Sequence, residues 1–196
     1  MSDVNLPIPD FQDIDPAVQK AATELMAGGF YFNPPDDAKV TTSRNGDVYK
    51  RWVEGVTVEK TWREAANGGL IVAVVQMKVR AGFPHAGRKA FARHTLNFPL
   101  LLGQEVDPNI KEKHEFMNNN SVNALTTLMK ATGYQPEQGG LSGRLLNMMF
   151  PIKDSPAANS PLWGKSVMAN FVDQPNKGEN AKTPRRTNIE SYLPGA

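Results

Sequence analysis

Residues 39–80 read KVTTSRNGDVYKRWVEGVTVEKTWREAANGGLIVAVVQMKVR, and the periodicity of this stretch decides the fold class. Asn45-Gly46 is the strongest hairpin signal in the chain, because a two-residue turn of that type needs positive φ at both positions. It predicts pairing of Lys39–Ser43 with Asp47–Val53. Val53 to Trp62 alternates and predicts a long strand, bent at Gly55. Asn67-Gly68-Gly69 is a second turn, and the unbroken apolar start of Leu70–Arg80 suits a strand covered on both faces. RAGFPHAGR (80–88) is a flexible connection and Lys89–Phe98 the next strand. A meander with short turns predicts an antiparallel sheet closing into a small barrel or sandwich.

Helices flank the meander. Asp15 caps and Pro16 opens a helix that Gly28 ends, with Val18, Ala22, Leu25 and Met26 as a narrow apolar stripe. The preceding residues 1–14 read as a flexible acidic arm. Asn118–Asn120 cap SVNALTTLMKAT (121–132), stopped by Gly133, with Val122, Leu125, Leu128 and Met129 on one face. This predicts a helix inserted between barrel strands. Leu141–Phe150 predicts a short further helix. PLWGKSVMANFVDQP (161–175) reads as a strand bent at Gly164, residues 175–187 as a mobile basic loop, and Ile189–Leu193 as a short edge strand. The class is mainly β with added α, in one domain over 15–196.

The chain has 196 residues and no Cys, which removes disulfide frameworks, thiolate metal sites and cysteine nucleophiles and fits a reducing, cytoplasmic setting. No apolar run reaches the ~18–20 residues of a membrane span, and the amino terminus lacks the pattern of a signal peptide. Net charge is +2 overall, yet residues 1–38 carry −6, residues 39–93 carry +7 and residues 94–196 carry +1. A basic middle segment predicts either a surface that meets a polyanion or a set of solvated charges on exposed strands.

Enzyme signatures are missing. His85, His94 and His114 lack a helical ligand partner, and no phosphate loop, dinucleotide fingerprint or nucleophile elbow occurs. The expectation is a binding protein without catalytic residues, metal or cofactor.

The positive signal is basic residues interleaved with aromatics at strand spacing. Alternation puts Lys89, Phe91, Arg93, Thr95 and Asn97 on one face and Ala90, Ala92, His94, Leu96 and Phe98 on the other. One face can be core and the other a platform on which bases stack while cations meet phosphates; the alternative packs Phe91 under a loop. Gln76, Lys78 and Arg80 share a face that either widens the platform or is plainly solvated. Tyr49 and Arg51 repeat the mixture, as do Lys60, Trp62 and Arg63. Trp52 and Trp62 share parity, which favours core for at least one of them. Phe83 either folds over bound strand or anchors its loop. The candidate nucleic-acid-binding set is Tyr49, Arg51, Lys78, Arg80, Phe83, Arg88, Lys89, Phe91, Arg93 and Lys165.

The meander, the segment RHTLNFPL (93–100), the helix SVNALTTLMKATGY, then PLWGKSVMANFVDQP, a basic Pro-containing loop and NIESYLP resemble bacteriophage single-stranded DNA-binding proteins of the OB-fold type, over about residues 29–193. The resemblance implies an OB barrel that coats and protects single-stranded DNA in phage replication and recombination inside the bacterial host. Its partners would be single-stranded DNA and phage or host replication proteins, with no membrane, as a monomer or weak oligomer. The chain ends NIESYLPGA where many of that class carry an acidic, partner-recruiting tail: either the tail is absent by nature, or the chain is truncated, or the acidic amino-terminal arm does related work. The competing expectation is a phage structural or replisome adaptor whose basic face meets an acidic protein.

Overall fold

A computed structural model describes residues 32–134, 143–155, 159–176 and 185–195. The expected arm 1–14 and helix from Asp15 fall outside them. The hairpin at Asn45-Gly46 forms, but not through a two-residue turn: of the pair only Gly46 takes positive φ, +84°, its N–H donates to Ser43 O at 3.0 Å, and Ser43 N donates to Asp47 O at 2.8 Å around residues 44–46. It joins β1 (Lys39–Thr42) to β2 (Val48–Ala66), with Lys39 opposite Arg51. A single 3-10 turn at Asn67–Gly69 leads to β3 (Leu70–Val79), and β4 (Lys89–Asn97) follows the 80–88 connection. Then come α1 (Phe98–Leu101), α2 (Pro108–Ala131), α3 (Gly143–Met149), β5 (Ser166–Pro175) and β6 (Arg185–Pro194).

The ladders between the described strands are all antiparallel, in the order β4-β3-β2-β5-β6, with β1 also on β2. The length of β2 makes this possible: residues 50–57 pair with β5 and residues 56–66 with β3. The sheet curls around a buried cluster that includes Phe32, Trp52, Met77, Leu96, Leu125, Leu128, Phe171 and Tyr192.

The expected closed barrel or sandwich is corrected here. No ladder joins β4 to β6, so the sheet is open. Helix α2 occupies the gap instead and satisfies backbone groups on both edges, which buried edges require. On the β4 side Asn118 Oδ1 accepts from Asn97 N at 2.7 Å, its Nδ2 donates to Asn97 O at 3.0 Å, and Ser121 Oγ donates to Thr95 O at 2.6 Å. On the β6 side Thr127 Oγ1 accepts from Tyr192 N at 3.3 Å. Beside the helix, His94 Nε2 and Tyr192 OH meet at 3.2 Å across the gap.

Two further expectations change. The inserted helix starts at Pro108, capped by Asp107, whose carboxylate accepts from Asn109 N at 2.9 Å. Asn118–Asn120 therefore lie inside it. Asp107-Pro108 is the same Asp-Pro start as Asp15-Pro16, but the residues that follow it are polar and show no apolar stripe, so no helical periodicity accompanies the signal. The basic loop is shorter than 175–187: Pro175 ends β5, and Arg185, Arg186 and Thr187 belong to β6. Arg185 Nε donates to the buried Asp173 carboxylate at 2.7 Å and its Nη2 to Val48 O at 2.7 Å. The strand is ten residues long rather than a short edge piece. Residues 177–184 lie outside the described part.

Candidate nucleic-acid interface

Alternation sets the faces of β4 as the sequence predicts. Ala90, Ala92, His94 and Leu96 are buried, while Lys89 and Arg93 are exposed and Phe91 and Thr95 half-buried. The exception is Asn97, buried at the strand end against Asn118. The register then lays out rows across three strands on the outer face: Lys78 beside Lys89, Lys60–Gln76–Phe91, Trp62–Val74–Arg93 and Glu64–Val72–Thr95.

Trp62 reaches this face because of a bulge. The pairing shifts between Val58 and Lys60, leaving Glu59 as the extra residue, and an extra residue flips every later side chain to the other side. Trp52 therefore points inward, stacked on Phe171 at 5.5 Å, while Trp62 lies outside with the Phe91 ring edge-on at 6.4 Å. Both indoles donate to a Glu two residues on, Trp52 Nε1 to Glu54 at 2.7 Å and Trp62 Nε1 to Glu64 at 2.6 Å. The Trp62 bond, helped by Lys153 at 3.1 Å, holds the Glu64 carboxyl below the ordinary carboxylate range. Trp62 is 9% exposed, so Phe91 is the more accessible ring and Trp62 its support. Lys60 and Lys153 each lie 5.9 Å from the Trp62 ring centre.

This platform borders a groove of about 860 Å³ at the open seam of the sheet. Trp62, Phe91 and Arg93 line one side. Asn120, Ser121 and Asn123 of α2 line a second, and Gln174, Arg186, Asn188 and Glu190 of β5 and β6 a third, with Lys153 at the rim. With its amide oriented so that the oxygen faces these donors, Gln174 accepts from Asn188 Nδ2 at 2.8 Å and from Arg186 Nε and Nη2 at 2.9 and 2.8 Å. Both groove carboxylates have cations of their own: Glu64 has Lys153, and Glu190 takes a two-pronged bond from Arg51 at 3.0 and 3.1 Å. Arg93 and Arg186 add positive charge beyond those pairs.

The candidate residues therefore separate. Phe91 and Arg93 line the groove, and Lys78 and Lys89 continue the same face. Arg51 is bound to Glu190 at the far rim, over the Tyr49 ring at 5.5 Å. Arg80 and Phe83 fold over Gly55, where a Cβ would meet Arg80 Nη2 at 2.6 Å; the Arg80 guanidinium lies 5.7 Å from the Phe83 ring centre, and Phe83 packs against the core. That geometry favours the anchoring role for Phe83. Arg88 covers the buried Phe32 ring at 4.4 Å. Lys165 is exposed in the turn before β5, its backbone bonded to Val58 N at 2.8 Å.

Among the described residues no group of three or more His, Asp or Glu could hold a metal ion, and no helix is long and apolar enough to cross a membrane. No protein-family model matches the chain, and no curated protein matches it.

Proposed function

We propose that this protein binds single-stranded DNA with little sequence preference, through an OB-type barrel, and coats unpaired strands in phage replication and recombination. The observation that carries the proposal is the half-buried Phe91 ring among the exposed Lys89, Lys78 and Arg93 on the outer face of β3 and β4, opening onto a basic groove. A ring that stacks any base, flanked by cations for phosphates, is the working combination of sequence-tolerant single-strand binders. The strand order supports the fold part. Leaving β1 aside, five strands in the order β4-β3-β2-β5-β6, with a helix inserted between the third and fourth of them along the chain and an open seam, fit a partly open five-stranded OB barrel. Counted that way, β3 and β4 are the second and third barrel strands, the ones whose face takes oligonucleotides in such barrels.

Labelled oligo(dT) should bind and be released by salt, with log K falling by about 0.7 per phosphate contact for each decade of salt. Duplex of equal length should compete poorly, because it offers phosphates and no unpaired ring faces. Phe91→Ala should weaken oligo(dT) binding by about 1–3 kcal/mol with the salt slope unchanged, since a ring releases no counterions. Arg93→Ala should weaken it at low salt and reduce the slope by about 0.7. Equal affinity for duplex, or a slope near zero, overturns the proposal.

A further inference from the structure

The α2 wall of the groove carries two carboxamides, Asn120 and Asn123, one turn apart on the exposed side of the helix. Asn is a poor helix-interior residue, so its presence calls for a reason outside helix stability. Neighbouring Asn118 has one in its bonds to the β4 edge, and Ser121 another in its bond to Thr95 O. Asn120 and Asn123 have no hydrogen-bonding partner among the described residues, and both face the cavity that Phe91 and Arg93 line from the other side.

We propose that Asn120 and Asn123 hydrogen-bond the Watson–Crick edges of bases stacked on Phe91, an inference that rests on the single-strand binding proposed above. A carboxamide sets an N–H donor beside a C=O acceptor, and a half-turn about its terminal bond exchanges them. It therefore matches the adjacent donor and acceptor on the pairing edge of any of the four bases. Such contacts cost no sequence tolerance, yet they demand an unpaired base, because in duplex those atoms are bonded to the other strand. Three helical residues rise about 4.5 Å, near the spacing of successive bases along a strand, ~3.4 Å when stacked and longer when extended. Two neighbouring bases can each meet one amide.

The test compares oligo(dT) with an oligomer of the difluorotoluene nucleoside, a thymine isostere that stacks but hydrogen-bonds only weakly. The parent should bind the isostere at least tenfold more weakly than oligo(dT), because the two amides together lose up to four hydrogen bonds. Asn120→Ala/Asn123→Ala should bind both oligomers alike, near the weaker value. Because both side chains are exposed and make no hydrogen bond among the described residues, the variant should melt with the parent; if it melts early, Asn120→Ser/Asn123→Ser is measured in the same way. A parent that does not distinguish the oligomers, or a variant that distinguishes them as the parent does, overturns this inference while leaving single-strand binding in place. Failure of the parent to bind either oligomer overturns both.

Discussion

Glu54→Leu is expected to lower the melting temperature by on the order of 10 °C. Glu54 is fully buried on the inner face of β2, and its carboxylate accepts from Trp52 Nε1 at 2.7 Å, from His85 N at 3.2 Å and from His85 Nδ1. These bonds fix the loop between β3 and β4 and hold Trp52 flat on Phe171. Leu replaces the volume and removes the acceptor, so up to three donors lose their partner at about 1–3 kcal/mol each, less for the half-buried His85 ring, which water can reach. A net loss of about 3–5 kcal/mol follows, at about 2–4 °C per kcal/mol for a chain this size. Glu54→Gln keeps one carbonyl and should lose less. Glu64 bonds Trp62 in the same local pattern but on the outer face, where solvent can replace it, so Glu64→Leu should change the melting temperature by a few degrees at most. Thermal melts of the three variants decide the matter; equal losses at positions 54 and 64 would mean that burial does not distinguish the two Trp-Glu pairs.

That contrast also shows what the sequence discloses and what it hides. Period-two alternation placed the faces of Lys89–Phe98 correctly as far as Leu96, because nothing interrupts β4 until its end. The same rule gave Trp52 and Trp62 one face, and a single extra residue at Glu59 reversed it. Nothing in the local pattern marks Glu59 as the extra residue; its carboxylate accepts from Gln76 Nε2 at 2.9 Å and lies 4.0 Å from Lys89 Nζ, contacts that only the folded sheet brings about. Turn chemistry was legible where only glycine serves, as at Gly46. At Gly55, where a bend is expected, β2 keeps its regular register with β5, and the glycine instead makes room for Arg80 and Phe83.

The groove was half legible. Phe91 and Arg93 announce themselves by mixing a ring and a cation at strand spacing. The residues opposite do not, because they come from distant elements. Lys153 arrives through an isolated parallel bridge between Arg63 and Ile152, Arg186 from a segment whose basic, Pro-containing start reads as loop, and Asn120 and Asn123 from a helix whose polar first half lacks an apolar stripe. Local pattern reports which face a side chain takes, and tertiary closure decides what it faces. Here closure is the work of α2, whose Asn118, Ser121 and Thr127 replace the missing ladder between β4 and β6.

Lowering the pH from 7 to 5 should cost about 2 kcal/mol of stability through His94 alone. Burial pushes this imidazole down from 6.5 to about 4. Burial also raises the Tyr192 hydroxyl far above its ordinary range, so it stays protonated beside His94 Nε2, 3.2 Å away across the seam. The cost of acid falls on the imidazolium, whose charge burial cuts off from water. The unfolded chain takes up a proton near pH 6.5 and the native state only near pH 4, so the contribution is complete above 6.5, shrinks as pH falls and is gone below about 4. The full window is worth about 3 kcal/mol at 1.36 kcal/mol per pKa unit. His94→Asn removes the titrating group, so its stability should be lower than the parent's at pH 7 yet fall less steeply toward pH 5. Denaturant unfolding of both proteins at pH 7, 6 and 5 measures this; parallel pH dependences would show that the native state admits the proton at position 94. Since His94 and Tyr192 form the side-chain link between the two edges of the groove, acid should loosen the seam there before it reaches the β2–β5 ladder, where the inner face holds Trp52 against Phe171.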